Sequence, residues 1–193
     1  MLIVRKAGHR ELERFYGLFE MDFDRRELLP RLAIHRGMTR GDMELLIVTE
    51  EESRIDVAYA LTFCRGLYGH VLLKYFAVLP WYRERGLGVQ AMRLIHKYYA
   101  DRQGILAELT VFDAEDGGAY LRKLRKFFAR FGYVDVDCDY ELGGAKAELL
   151  VKPMKSAADL SPVAHRVIRD FYSRVLSPAA EQAMIRIRPL ERG

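Results

Sequence analysis

Apolar residues recur along this chain with two different periods, and the switches between them mark out its elements. In residues 9–23, HRELERFYGLFEMDF, Leu12, Phe15, Tyr16, Phe19 and Phe23 fall three and four apart, the spacing of one helix face. A second helical piece follows over RRELLPRLAIHRG, residues 25–37, interrupted or restarted at Pro30. The period then shortens. MELLIVTEE (43–51) and RIDVAYALTFCRG (54–66) read as two strands joined by an acidic turn, an antiparallel hairpin. HVLLKYFAVLP (70–80) is a continuous apolar run ended by proline, the pattern of a central strand.

Beyond WYRERGLG (81–88), the helical period returns with Val89, Met92, Ile95 and Tyr99, and Arg93 and Lys97 fall on the opposite face. ILAELTVFD (105–113) is a further strand. GGAYLRKLRKFFARFGY (117–133) is a basic amphipathic helix with Leu121, Leu124, Phe128 and Phe131 as its apolar line and Gly132 as C-cap. VDVDCDYEL, a Gly143-Gly144 turn and AKAELLVKPM form a terminal hairpin. Ser161 and Pro162 cap a last helix, which runs to about Ser177, where Ser-Pro stops it. Val163, Val167, Phe171 and Val175 make one stripe on it, suited to packing on the core or on a second subunit as a homodimer. The order predicts a mixed α/β (α+β) fold in which helices and strands do not strictly alternate.

Composition narrows this picture. With 193 residues and half of them hydrophobic, the chain can bury a real core. No run approaches the roughly 18 apolar residues of a membrane span, and the N-terminus turns charged too early for a signal peptide. A soluble, cytoplasmic protein with no membrane partner is expected. Cys64 and Cys138 stand alone, and His9, His35, His70, His96 and His165 have no ligand spacing, so no metal is expected. His96 is expected at the surface or rim of its helix. The net charge of +4 is uneven: residues 151–193 hold eight Lys and Arg against four acids, whereas residues 1–150 hold 23 of each sign. A basic tail can contact nucleic acid, but these charges are dispersed and no aromatic series runs between them. A solvated helix face is the expectation, and nucleic acid is not an expected partner.

Candidate chemistry centres on WYRERGLG. Gly86, Gly88 and Ala91 spell G-x-G-x-x-A between a strand and a helix, where free backbone N–H groups and the helix dipole favour a phosphate. Glu108 lies twenty residues after Gly88, near where the ribose-binding acid of a dinucleotide fold would fall. The context opposes that fold, because Leu79 to Arg85 intervene between strand and glycines and about 70 residues of helices and hairpin come first. No Gly-Lys-Ser/Thr follows, which excludes a Walker loop.

Val78, Pro80, Arg83, Gly86 and Gly88 resemble the strand exit and R-x-x-G-x-G/A signature of the GNAT superfamily of acyl-CoA-dependent N-acyltransferases. ILAE on the following strand and AED before the next helix resemble, more narrowly, a bacterial branch of it. The resemblance covers residues 1–154, a GNAT-like domain with a mostly antiparallel central sheet flanked by helices, and leaves 155–193 as a basic C-terminal helical extension. It implies that acetyl-CoA is cosubstrate. The pyrophosphate would meet the backbone of Arg83, Glu84, Arg85, Gly86, Leu87, Gly88 and Val89, and the pantetheine arm would pair with Phe76, Ala77 and Val78.

The implied reaction is direct attack of an amine on the thioester in a ternary complex. It needs a base for the ammonium and usually an acid for the departing thiolate. Glu108 interrupts an apolar strand at the position of a family glutamate, which makes it the candidate base, against the alternative of a structural partner for a nearby Lys or Arg. The family's tyrosine acid falls on Phe128 here and a usual asparagine on Leu121. A phenyl ring donates no proton, so Tyr120, or Tyr75 on the central strand, is the candidate substitute, unless the thiolate, with a pKa of about 8.5, leaves with help from water. The resemblance thus implies an acetyl-CoA-dependent N-acetyltransferase acting on a small-molecule or peptide amine. The alternative is a non-catalytic acyl-CoA-binding or regulatory module.

Overall fold

The computed structural model describes residues 1–110, 112, 114–155 and 159–188. Its centre is a nine-stranded sheet with helices on both faces. The strands are β1 (Leu2–Lys6), β2 (Met43–Glu50), β3 (Asp56–Phe63), β4 (His70–Val78), β5 (Gly104–Thr110), β6 (Val134–Val136), β7 (Asp139–Leu142), β8 (Ala145–Pro153) and β9 (Ile185–Arg188). They run in the order β1-β2-β3-β4-β5-β8-β7-β9, with β6 beside β7 along β8. Every pair is antiparallel except β4–β5. This is the mixed, mostly antiparallel sheet that the family resemblance implies.

The helices are α1 (His9–Asp22), α2 (Arg31–Arg40), α3 (Leu87–Tyr98), α4 (Ala114–Ala129), α5 (Ala164–Ser173) and α6 (Pro178–Met184). α1, α2 and α5 cover one face, where Phe15, Phe19, Ile34, Val167, Phe171 and Tyr172 are buried with Tyr59, Leu72 and Tyr75 of the sheet. α3 and α4 cover the other, where Met92, Ile95 and Phe128 meet Val71, Leu73 and Ile105. Burying an aliphatic or aromatic side chain contributes about 1.5–3 kcal/mol. That is why both faces of β3, whose eight residues are all buried, must be covered.

Several boundaries differ from the sequence reading. β1 is a strand that the pattern of residues 1–8 does not announce; it forms by antiparallel pairing with β2, from Leu2/Glu50 to Lys6/Leu46. Residues 25–27 form a turn, and α2 begins after Pro30, because proline disfavours a helical residue before it and lacks the N–H a helix interior needs. VDVDCDYEL breaks into β6 and β7. The last helix ends at Ser173, and Ser177-Pro178 opens α6 instead of closing α5: the Ser177 hydroxyl accepts the Ala180 N–H at 3.3 Å. Val167, Phe171 and Val175 of the predicted stripe are buried in their own chain, Val163 packs half-buried beside them, and β9 pairs with β7. Val111 and Asp113 of the predicted fifth strand lie outside the described residues, as do Glu191 and Arg192 of the tail.

Two features of β4 shape the cavity beside it. Opposite β3, Leu61 pairs with Tyr75 but Thr62 pairs with Leu73, so Lys74 is the extra residue of a bulge. On the other edge, β4 and β5 pair from His70/Gly104 to Leu73/Ala107 and no further. Past that point the strands part.

Candidate functional site

The parting of β4 and β5 opens a cavity of about 450 Å³ lined by Lys74, Phe76, Val78, Glu108, Tyr120 and Phe128, among others. Phe76, Ala77 and Val78 keep their partners on β3, Ala60, Tyr59 and Ala58, and their other edge faces the opening without a strand. A strand edge of this kind is a template for an extended ligand. A second lobe of about 300 Å³ shares Asp22, Phe23, Lys74, Glu108, Tyr120 and Leu124 and adds Asp24 and Glu27.

At the far end of β4 the chain makes a 3₁₀ turn at Pro80–Tyr82 and enters α3 through Arg83 to Gly86. Glu84 and Gly86 both adopt left-handed backbone, with φ of 63° and 72°. Gly86 is the N-cap of α3, no side chain caps the helix, and its first turn holds no acid. The helix start therefore offers uncapped N–H groups at Leu87 and Gly88 and an unopposed positive dipole end, whereas the Val89 N–H, expected from the sequence to meet the phosphate, donates to the Gly86 carbonyl at 3.3 Å. Gly88 faces β4: a Cβ there would meet the Val78 side chain at 3.4 Å, an ordinary van der Waals contact. Arg83 turns back from this concavity. Its Nε donates to the Val78 carbonyl at 3.0 Å, and its guanidinium pairs with Asp22 at the end of α1. Arg85 lies over the Tyr82 ring, 5.6 Å from the centroid.

Glu108 and Tyr120 both line the cavity, in very different surroundings. The Glu108 side chain is 2% exposed and that of Lys74 is wholly buried, with the ammonium 3.1 Å from Glu108 Oε2. Tyr140 Oη donates to Oε1 at 2.6 Å, and Tyr172 Oη lies 3.0 and 2.9 Å from the two carboxylate oxygens. The carboxylate thus already holds three donors, and the phenols of Tyr140 and Tyr172 are pushed well above their ordinary pKa, first by burial and then by Glu108. Tyr120, on α4, is exposed at the mouth, where partial enclosure and the carboxylates of Glu27 and Asp22 raise its pKa. Phe128 lies at the cavity wall against Tyr133.

Glu27 sits on the turn between α1 and α2. Burial raises its pKa, Lys74 opposes that shift, and Glu108 adds to it. Tyr75 is no free acid: its hydroxyl donates to the Glu27 carbonyl at 2.9 Å and accepts the Leu29 N–H at 2.8 Å, which fixes that turn to β4. The site therefore joins residues that sequence reasoning did not connect, Lys74, Asp22, Glu27, Tyr140 and Tyr172. A signal existed for Lys74 alone, a charge inside an apolar strand. His96 is not at a rim: it is 7% exposed, 3.2 Å from Tyr133 Oη, with its pKa lowered to about 4 by burial and then by Lys152.

A mostly antiparallel sheet parted beside a bulge, with a glycine-capped helix at the strand exit, is the GNAT acyltransferase architecture, and this chain has that fold. A putative GNAT-family acetyltransferase from Bacteroides thetaiotaomicron aligns with a TM-score of 0.66 at 14% identity, over 86% of this chain and 96% of the other. Arabidopsis thaliana NAA60 in complex with acetyl-CoA aligns at 0.61 and 13% identity, over 81% and 100%. Vibrio cholerae spermidine N-acetyltransferase in complex with CoA and spermine aligns at 0.60 and 8% identity, over 79% and 95%. No protein-family model and no curated protein matches the sequence. Among the described residues, no helix is long and apolar enough to cross a membrane, and no three His, Cys, Asp or Glu side chains are grouped to hold a metal.

Proposed function

We propose that the chain is an acetyl-CoA-dependent N-acetyltransferase that transfers the acetyl group directly to a primary amine of a small molecule or peptide. The observation that carries this reading is the unpaired edge of β4 opening, between the parted strands, toward the uncapped start of α3. Pantetheine has amides spaced to add to the edge at Phe76, Ala77 and Val78, and the pyrophosphate suits the N–H groups from Glu84 to Gly88. Two structures of similar fold were solved with acetyl-CoA or CoA, which supports the donor. In this reading Arg83 holds Val78 and the end of α1 in position, and Arg85 remains to attract phosphate.

The thioester would lie over the cavity floor, with Tyr120 as the acid for the departing thiolate. Glu108, which the sequence suggests as base, has its oxygens engaged by Lys74, Tyr140 and Tyr172, and we read it as the counter-ion that holds the Lys74 ammonium at the floor. A fixed cation there favours negative charge developing on the thioester oxygen. A second reading, a module that binds acyl-CoA without turnover, is motivated by Phe128, which takes the place of the family's tyrosine and is buried against Tyr133.

The test has two stages. Acetyl-CoA at about 100 times its Kd should stabilise the protein by about 2.7 kcal/mol. Gly86→Val should abolish that gain, because a β-branched residue resists the left-handed backbone at position 86. No shift at millimolar acetyl-CoA would sink both readings. Release of CoA thiol on adding an amine separates the transferase from the binding module.

A further inference from the structure

We propose that Glu27, on the turn between α1 and α2, is the general base that takes the proton from the acceptor ammonium. The inference rests on the transferase reading and comes from comparing the four carboxylates that line the two lobes of the cavity. Asp22 is held by Arg83 and by the Tyr59 hydroxyl at 2.7 Å. Asp24 is held by the Arg26 side chain and backbone N–H, which draw its pKa down to about 2. Glu108 is held by Lys74, Tyr140 and Tyr172. Glu27 forms no ion pair among the described residues. It is half-buried in the wall of the second lobe, so it can meet an ammonium in the cavity and pass the proton to water.

Its backbone is held firmly enough for the role. The Glu27 N–H donates to the Asp24 carbonyl at 3.0 Å, and the buried Tyr75 hydroxyl donates to the Glu27 carbonyl. The β7–β8 turn presses on the residue before it: a Cβ on Gly143 would lie 2.4 Å from the Arg26 carbonyl oxygen. The charged and titratable groups around the Glu27 carboxyl are Lys74 on β4, Glu108 on β5, Asp24 on its own turn, Asp22 at the end of α1 and Tyr120 on α4. Burial, then Glu108 and the Asp24 charge, raise its affinity for a proton, and Lys74 and a hydrogen bond from the Asp24 backbone oppose them without cancelling them. A base whose pKa is moved toward the working pH is better matched to an ammonium than an ordinary carboxylate.

The step balances simply. The ammonium gives one proton to the Glu27 carboxylate. The free amine then bonds to the thioester carbon, the C–S bond breaks, and the thiolate takes one proton from Tyr120. The amide nitrogen loses its extra proton, which restores the phenol, and Glu27 releases its own to water.

Glu27→Gln tests this with spermidine and with a peptide bearing a free α-amine as acceptors. At pH 7 its kcat should fall by about 10²- to 10⁴-fold, the usual worth of a positioned base. The acetyl-CoA-induced rise in melting temperature should persist, which shows that the fold and donor site survive. The gap from wild type should narrow steadily as pH rises from 7 to 10, because solution then supplies the free amine. A structural role would instead cost the same factor at every pH, and that result, or an undiminished kcat, overturns the proposal. As a second measurement, the Glu27 side-chain carboxyl carbon in the wild-type complex with acetyl-CoA, assigned through bonds by NMR, should titrate above the ordinary glutamate range. Titration at the ordinary value also overturns it. A wild type that binds acetyl-CoA yet acetylates neither amine overturns the transferase reading itself, and an active wild type with unchanged Glu27→Gln overturns the assignment of the base alone.

Discussion

Removing the carboxylate from the floor of the cavity should unfold the protein more readily, and by an amount the surrounding geometry sets. Glu108→Gln leaves the Lys74 ammonium with no exposed surface and, among the described residues, no ion-pair partner, only the faces of Tyr75 and Tyr172, with centroids 5.4 and 5.6 Å away. Breaking a buried pair in this way costs about 3–5 kcal/mol. In a chain of this size each kcal/mol moves the melting temperature by about 2–4 °C, so the loss should be about 6–20 °C. Lys74→Met should cost less, because Glu108 would keep the Tyr140 and Tyr172 hydroxyls as donors. The double variant Lys74→Met with Glu108→Gln keeps a carbonyl oxygen for the two phenols and leaves no buried charge. It should therefore be more stable than Glu108→Gln alone. Urea unfolding of the four proteins closes the cycle, and a coupling of about 2 kcal/mol or more is expected for groups in direct contact. If Glu108→Gln loses under about 1 kcal/mol, the average effect of point substitutions of all kinds, the reasoning is wrong. Glu108 would then be free to serve as the base.

Two further predictions concern stability and the acceptor wall. His96 has its native pKa lowered to about 4 from the ordinary 6.5, so the unfolded chain binds the extra proton first; stability is complete above pH 6.5 and is lost as pH falls toward 4. Between pH 7.5 and 5 the loss should be about 2 kcal/mol in urea unfolding, at 1.36 kcal/mol for each unit below 6.5, and His96→Gln should flatten it. Gly143→Ala and Gly144→Ala both force alanine into left-handed backbone, at about 1–2 kcal/mol each, but only Gly143 meets the Arg26 backbone, and nothing lies within 4 Å at Gly144. Gly143→Ala should therefore be the less stable of the two and should alone lower kcat, by shifting the turn that carries Glu27; equal kcat values would refute that link.

What the sequence made legible was local. The periods of α1, α3 and α4 and the run of β4 name those elements because each buries one face or two against the sheet. Gly86 is legible because its left-handed backbone demands glycine. β1 was not, since five residues carry too little period to distinguish a strand from a tail. His96 was misjudged for a related reason: Phe131 and Tyr133, beyond α4, cover the face of α3 that carries it. The partners of Glu108 were hidden by distance along the chain, with Lys74 34 positions before it, Tyr140 32 after it and Tyr172 64 after it. Period and spacing within a window cannot see such a meeting. Glu27 was absorbed into a predicted helix, and only the turn ahead of Pro30 turns it toward the cavity.

The hydroxyl of Tyr172 has a consequence for how the molecule is made. The parted strands, the bulge and the α3 start all belong to residues before 111, yet one donor to the buried carboxylate comes from α5. At synthesis rates of about 5–20 residues per second, the 64 positions between Glu108 and Tyr172 separate the two partners by about 3–13 s. For the first half of that interval the nascent chain lacks both phenol donors to Glu108, and for the rest it lacks Tyr172 and one cover of an apolar sheet face. A chaperone that shields apolar surface on ribosome-bound chains has its window there, and donor binding before α5 docks would find an unfinished floor.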